Sequence, residues 1–282
     1  MFIRRPTKLL YYLLCALPLC LAVGICYALS SQPLAPAMAS DYSNYQCTTG
    51  ANHSGKTFRI LTLTVMDAVA VANSLCESPE VQAHFDSVDI IWHTRGFITA
   101  QDIVEQKYDL FLNRPYLVAG LVPDYERYYR PLMTSNPYSV YWLSKVSKPE
   151  LTQAYFADKS VGLMDDFYSQ SFFLLPSGSL REANIQLKDE QKKLFHDLSS
   201  LYSAFEAGEV DVITSPDLGA FSDKISPLYN LAIAEQAPPI SWFIRREPAS
   251  EALHCAVHGV LSRTIKWMNL VPSNTDFERE CR

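Results

Sequence analysis

Glycine is scarce in this 282-residue chain, with only 10. Neither a Gly-x-Gly-x-x-Gly turn nor a Gly-x-Ser-x-Gly elbow occurs, which removes the dinucleotide and serine-hydrolase sites built on those turns. None of the seven cysteines falls in a Cys-x-x-Cys pair, so paired-thiolate zinc sites and thioredoxin-type redox sites lack their groups. His254 and His258 stand four apart, but Cys255 follows the first where a zinc protease needs glutamate. No metal and no cofactor is expected. Basic residues number 24 against 30 acidic ones and form no stripe, so phosphate backbones find no complementary surface and no nucleic-acid partner is expected. Internal repeats and low-complexity tracts are absent too.

What is present starts at the N-terminus. Arg4, Arg5 and Lys8 precede an uncharged, largely apolar run from Leu9 to Leu29, followed by Ala35-Pro36-Ala37-Met38-Ala39. This is the layout of a secretory signal, with cleavage expected after Ala39. The run also reaches the roughly 20 residues of a membrane-spanning helix, so an uncleaved inner-membrane anchor is the alternative. Either topology places residues 40–282 in the periplasm. Removing the leader leaves 21 basic and 30 acidic residues. It also leaves four cysteines, Cys47, Cys76, Cys255 and Cys281, an even number that favours disulfides in an exported chain. Three pairings are possible. Cys47–Cys76 with Cys255–Cys281 keeps both loops local and is preferred.

Residues 40–56 are polar and read as an extended lead-in. Phe58 to Val65 alternates apolar and polar residues as a strand. A helix is expected from Ala68 to about Phe85, then a strand at Val88–Trp92, a short helix at Thr99–Gln106 and a strand at Tyr108–Leu112. This alternation implies parallel βαβ units. Tyr128–Leu132 and Tyr138–Leu143 read as extended, Tyr-rich runs, suited to crossing between lobes. A strand at Ser160–Met164, a helix from near Ser171, a helix carrying Leu194, Phe195, Leu198, Leu201, Tyr202 and Phe205, and a strand at Val210–Thr214 follow. Ile240–Ile244 is a further strand, and Glu251–Met268 an amphipathic helix.

Three segments carry a family resemblance. Phe58–Asp67 looks like the first strand of the type II periplasmic solute-binding proteins. Ser160–Pro176 resembles the opening of their second lobe, where a strand, a Ser-x-Ser loop (Ser169-Gln170-Ser171) and a helix recur. Leu201–Ile213 is similar to their helix–Gly-Glu-Val-Asp–strand step, at Gly208-Glu209-Val210-Asp211. The phosphonate/phosphite-binding branch is the nearest in pattern, except that Phe172 stands where that branch has glycine. The resemblance implies an α/β protein of two lobes, each a mostly parallel sheet flanked by helices, joined by crossover strands. The expected lobes are 57–143 with 226–282, and 144–225. It also implies a non-enzymatic, monomeric protein that captures a small solute and presents its closed form to a membrane transporter permease or a sensor receptor. An enzyme on the same fold is the rival reading.

Ligands in open α/β sheets bind beyond the carboxyl ends of the strands. That rule selects Asp67, Arg95, Asn113 and Arg114 in the first lobe, and Ser169, Gln170, Ser171 and Asp217 in the second. Ser169–Ser171 at a helix start suits an anionic group, although either serine could simply cap the helix. Arg95 and Arg114 could clamp a carboxylate or phosphate. Asp67 and Asp217 could hold an amine, making the ligand zwitterionic. Tyr141 is expected to line the cleft, with a place in the core as its alternative. Asp165 and Asp166 are adjacent at a strand end and are expected to point apart.

Overall fold

The structure, a computed structural model, describes residues 43–51, 55–63, 65, 67–216, 225–247, 250–266, 268–273 and 281. The expected leader at 1–39 and Asp217 lie outside these residues. Among the described residues no helix is long and apolar enough to cross a membrane.

Twelve strands form two sheets among the described residues. They are β1 (Ser43–Thr48), β2 (Thr57–Thr62), β3 (Ser87–Trp92), β4 (Leu110–Asn113), β5 (Tyr129–Ser135), β6 (Tyr138–Ser144), β7 (Val161–Met164), β8 (Lys192–Phe195), β9 (Val212–Ser215), β10 (Tyr229–Ala237), β11 (Ser241–Arg245) and β12 (Leu270–Pro272). The larger sheet has the order β1-β3-β2-β4-β11-β5-β12, the smaller β10-β6-β9-β7-β8. Helices α1 (Ala68–Cys76), α2 (Pro79–Gln82), α3 (Ala100–Val104), α4 (Pro115–Leu121) and α8 (Glu251–Thr264) accompany the first sheet. Helices α5 (Gln153–Phe156), α6 (Leu175–Glu182) and α7 (Leu198–Ala207) accompany the second. The two-lobed α/β architecture expected from the sequence is therefore present, but the sheets are mixed and not mostly parallel: β2 runs parallel to β3 and β4, and β7 to β8 and β9, while the remaining pairs are antiparallel.

Strand alternation builds each core. In the first sheet Phe58, Ile60, Leu110 and Leu112 face α1 and α8, packing with Val71, Leu75, Val257 and Leu261. Leu61 and Phe111, on the other face, pack with Ile103, Val118 and Tyr129. Strands buried on both faces read as continuous apolar runs, and all four residues of β4 are buried. In the second sheet Trp142, Val161 and Val212 pack with Phe156 and Leu180, while Leu143 and Ile213 pack with Leu201 and Phe205 of α7. Asp197 caps α7 through Ser200 N–H at 2.9 Å. Gly208 closes the helix at φ 82°, a left-handed geometry that glycine adopts without a Cβ penalty.

Several expectations shift. The lead-in is strand β1, antiparallel to β3 from Ser43↔Trp92 to Thr48↔Ser87. The long helix expected at Ala68–Phe85 breaks at Ser78-Pro79 into α1 and α2, because proline favours an extended residue before it and starts the next helix. Leu194 and Phe195 belong to strand β8, parallel to β7, and not to the helix that follows. The segments 138–143 and 229–237, expected in the first lobe, belong to the second sheet, where β10 runs antiparallel to β6. The chain passes between sheets at 136–137 and 238–240.

Both preferred disulfides are present: Cys47–Cys76 ties β1 to α1, and Cys255–Cys281 ties α8 to the C-terminal tail.

Candidate functional site

The carboxyl ends of β3 and β4 deliver Arg95 and Arg114 towards the second lobe. Arg114 follows β4 directly, and Pro115 starts α4 behind it. Its side chain is buried, 2 % exposed. It donates to Tyr138 Oη at 2.6 Å, to the carbonyl of Pro238, and to that of Pro239 at 3.4 Å. Arg114 thus touches both segments that cross between the sheets. Its Nε has no hydrogen-bond partner among the described residues, and neither has Arg95 Nε.

Arg95 reaches the opposite lobe. Its Nη1 donates to Asp166 Oδ2 at 2.7 Å, with the two side chains 14 % and 6 % exposed. Burial holds the Arg95 guanidinium below its ordinary value, and the charge and hydrogen bond of Asp166 oppose that shift. Asp166 Oδ1 also accepts from Tyr168 N–H at 3.2 Å. Asp165 turns away to pair with His196, so the two adjacent carboxylates do point apart.

Ser169 begins a wide turn, Gln170–Leu174, that runs into α6. Its carbonyl accepts from Phe173 N–H at 3.0 Å and Leu174 N–H at 2.8 Å, the i+5 bond marking a π-type turn, which is frequent at functional positions. The Ser169 side chain makes no cap hydrogen bond, so the simple capping alternative fails for this residue. Ser171 Oγ lies 2.9 Å from Tyr138 Oη, and Thr214 Oγ1 donates to the Ser171 carbonyl at 2.6 Å. Gln170 Oε1 accepts from Tyr116 Oη at 3.1 Å, linking the lobes at the rim. The Tyr168 ring lies over Gly96, where an added Cβ would come within 2.9 Å of the ring. The close approach of loop to loop therefore uses the missing side chain.

The structure thus brings together Arg95, Arg114, Ser169, Gln170 and Ser171. Asn113 supports them from behind, accepting from Arg114 N–H at 2.8 Å and donating to the Arg95 carbonyl at 3.5 Å. Asp67 lines a different narrow hollow, with Thr62, Val71, Trp242 and Met268, none of which belongs to the arginine cluster. Tyr141 packs against the second-lobe core beside Leu201 and Phe205, because its side chain falls on the α7 face of β6. Tyr138, three residues earlier, takes the position expected of it. Phe172 also turns into that core, its ring 6.2 Å from Tyr202, so its bulk leaves the arginine cluster clear. The sequence reading missed Asp166 as a cleft group, together with Tyr116 and the Pro238 and Pro239 carbonyls. The strand-end rule that selected Arg95 reaches Asp166 as well, two residues beyond β7.

Among the described residues no group of three or more His, Cys, Asp or Glu side chains could hold a metal ion. His254 is buried, with Nδ1 against the Arg130 guanidinium and Nε2 3.1 Å from the Arg245 carbonyl. It is a structural histidine.

No protein-family model matches the chain, and no curated protein matches its sequence. Solved structures do match. PhnD1 of Prochlorococcus marinus (MIT 9301), in complex with methylphosphonate, superposes with a TM-score of 0.54 at 11 % identity, covering 80 % of this chain and 97 % of that one. The chain has the type II solute-binding-protein fold. Looser likenesses are XAC2383 from Xanthomonas citri bound to chloride ion (TM-score 0.45, 12 % identity, 80 % and 94 % covered) and GshT of Streptococcus mutans, from a study of glutathione import (0.45, 14 %, 74 % and 89 %). In this solute-binding-protein fold the arginine cluster occupies the carboxyl-end position between the sheets, where the strand-end rule places a ligand.

Proposed function

We propose that this is an exported solute-binding protein, residues 1–39 being its leader or anchor, which captures a small anionic or zwitterionic ligand between its two lobes. The observation that carries the reading is the meeting of Arg95 and Arg114 with Asp166, Tyr138 and Ser171. Two guanidinium groups and one carboxylate leave a net charge of +1 in a desolvated place, and such a place favours a ligand carrying one net negative charge. Carboxylates and phosphonates match the planar donor fork of arginine. Methylphosphonate in the Prochlorococcus PhnD1 structure adds phosphonates to the candidates. An exported location fits the two disulfides, which persist in oxidising compartments.

Closure of the lobes about the 136–137 and 238–240 segments would enclose the ligand, and a ligand that touches both lobes stabilises the closed form. A membrane transporter permease then reads that form. A sensor receptor is the second partner class. No catalytic role is assigned to any residue.

The test is a thermal-shift screen of the purified protein against carboxylates, amino acids, phosphonates and polyamines. A specific ligand at 100 times its Kd adds about 2.7 kcal/mol to the native state, so a rise of several degrees is expected for one anionic or zwitterionic class. Arg95→Gln should abolish that rise. Stabilisation by polyamines alone, or an unchanged rise in Arg95→Gln, would sink the reading.

A further inference from the structure

At the opposite end of the first lobe's parallel strands lies a cavity of about 410 Å³. It is lined by the start of β2 and the residues before it, the loop after α2, the turn that leads into β4, the end of β11 and Leu253 of α8. That volume falls in the range of small-molecule sites, roughly 300–1,000 Å³. β2 separates it from the arginine cluster by five residue rises, about 17 Å.

The lining is cationic in an acidic protein. Lys56, Arg59, Lys107 and Arg245 border the cavity, and among the described residues Asp109 is the one lining carboxylate, in a chain of net charge −6. Asp109 is committed within the fold. Its Oδ1 pairs with Arg245 at 2.8 Å, and its Oδ2 accepts from Arg59 N–H at 2.8 Å. Lys107 pairs with Asp102 at 2.8 Å from outside the lining, and its side chain is 48 % exposed. Lys56 and Arg59 are exposed. The cavity therefore has an internally anchored floor and a rim of at least three solvent-reachable cations.

The sequence here has a further property. Gly50-Ala51-Asn52-His53-Ser54-Gly55-Lys56-Thr57 has the Gly-x-x-x-x-Gly-Lys-Thr spelling of a phosphate-binding loop. A true phosphate loop follows a strand and opens a helix, whose N–H groups hold the phosphates. Here Thr57 opens strand β2, so no helix N-terminus follows Lys56 to supply its N–H groups. Gly55, Lys56 and Thr57 nevertheless border the cavity. Among the described residues, the groups that offer charge to a phosphate there are side-chain cations.

We propose that this cavity is a second binding site, for a small multiply charged anion of the phosphate class, independent of the site between the lobes. Arg59, Lys56 and Lys107 supply the charge that holds it, and Arg245, fixed by Asp109, forms its inner wall.

Calorimetric titration of the full-length protein with inorganic pyrophosphate, and separately with citrate, tests this at low and high salt. Saturable pyrophosphate binding is expected, weakening as salt screens the rim cations. Arg59→Gln with Lys107→Gln alters only solvent-reachable side chains and should weaken it at least about tenfold, since one charge-assisted contact is worth that much. Arg59→Lys should restore most of a single Arg59→Gln loss. Citrate binding as tightly as pyrophosphate would replace phosphate by polycarboxylate and overturn the assigned class. Unchanged pyrophosphate binding in the double variant, or none in the wild type up to about 10 mM, would overturn the site. Arg95→Gln should leave pyrophosphate binding intact, so failure of the interlobe site and failure of this one read differently.

Discussion

Arg95 and Asp166 meet across the gap between the two lobes at 2.7 Å, 71 positions apart in the chain. Each side chain is largely withdrawn from water, and a buried pair is far more sensitive to the loss of one partner than to the loss of both. This contact makes the pair a lock between the lobes.

Replacing Asp166 with Asn keeps the shape and removes the charge. The lobes should then open more readily, because opening lets Arg95 regain water. Small-angle scattering of the Asp166→Asn protein should give a larger radius of gyration than wild type. An unchanged scattering profile would remove the lock.

Tyr138 stands between Arg114 and Ser171 through a single hydroxyl. Tyr138→Phe keeps the ring and deletes that oxygen, leaving buried donors with one partner fewer. A loss of about 1–3 kcal/mol is expected, read as a lower urea midpoint at unchanged slope. A midpoint equal to wild type would show that the bridge contributes nothing to stability.

His254 gives a signed pH dependence. Burial, and then the nearby Arg130 charge, push its imidazole from an ordinary 6.5 down to about 4, the Arg245 carbonyl partly opposing and Arg246 adding to the shift. The folded state therefore disfavours the charged form, while the unfolded chain takes up that proton near 6.5. The contribution is fully present above pH 6.5 and is lost progressively as pH falls from 6.5 towards 4. His254→Gln should flatten the melting temperature across that window relative to wild type. Parallel curves for the two proteins would contradict this assignment.

The disulfides close loops with sequence separations of 29 and 26 residues. Each should contribute about 3 kcal/mol. Alkylation of the denatured, unreduced protein should leave Cys47, Cys76, Cys255 and Cys281 unlabelled, and reduction should lower the melting temperature by several degrees. Labelling at any of the four before reduction would refute the pairing.

The parallel strands of the first lobe were legible because strands buried on both faces must be apolar throughout, as Leu110-Phe111-Leu112 is. Strand β10 was not legible. Its residues, Tyr229 to Ala237, are mostly half-buried or exposed, so no apolar pattern marks it, and its existence depends on hydrogen bonding to β6. Strand β8 was misassigned because Leu194 and Phe195 fall at helical spacing with Leu198 and Leu201. Pairing to β7 overrides that local pattern, since parallel ladder bonds form only once the sheet exists. Tyr138 and Tyr141 could not be separated by residue type. They differ in which face of β6 each occupies.

By itself the sequence determined that strand ends would carry Arg95 and Arg114 to one edge of a sheet, because period-2 apolar runs fix where strands stop and which loops follow them. It determined the cysteine inventory too, from which local loop closure favoured the pairing observed. Only the tertiary structure decided that Asp166 would face Arg95, that Arg114 would hold both crossing segments, and that Lys56, Arg59 and Lys107 would gather around one cavity. Those relationships depend on how the two sheets and the loops at their ends lie against each other, which is set by packing among residues far apart in the chain and leaves no periodic trace along it.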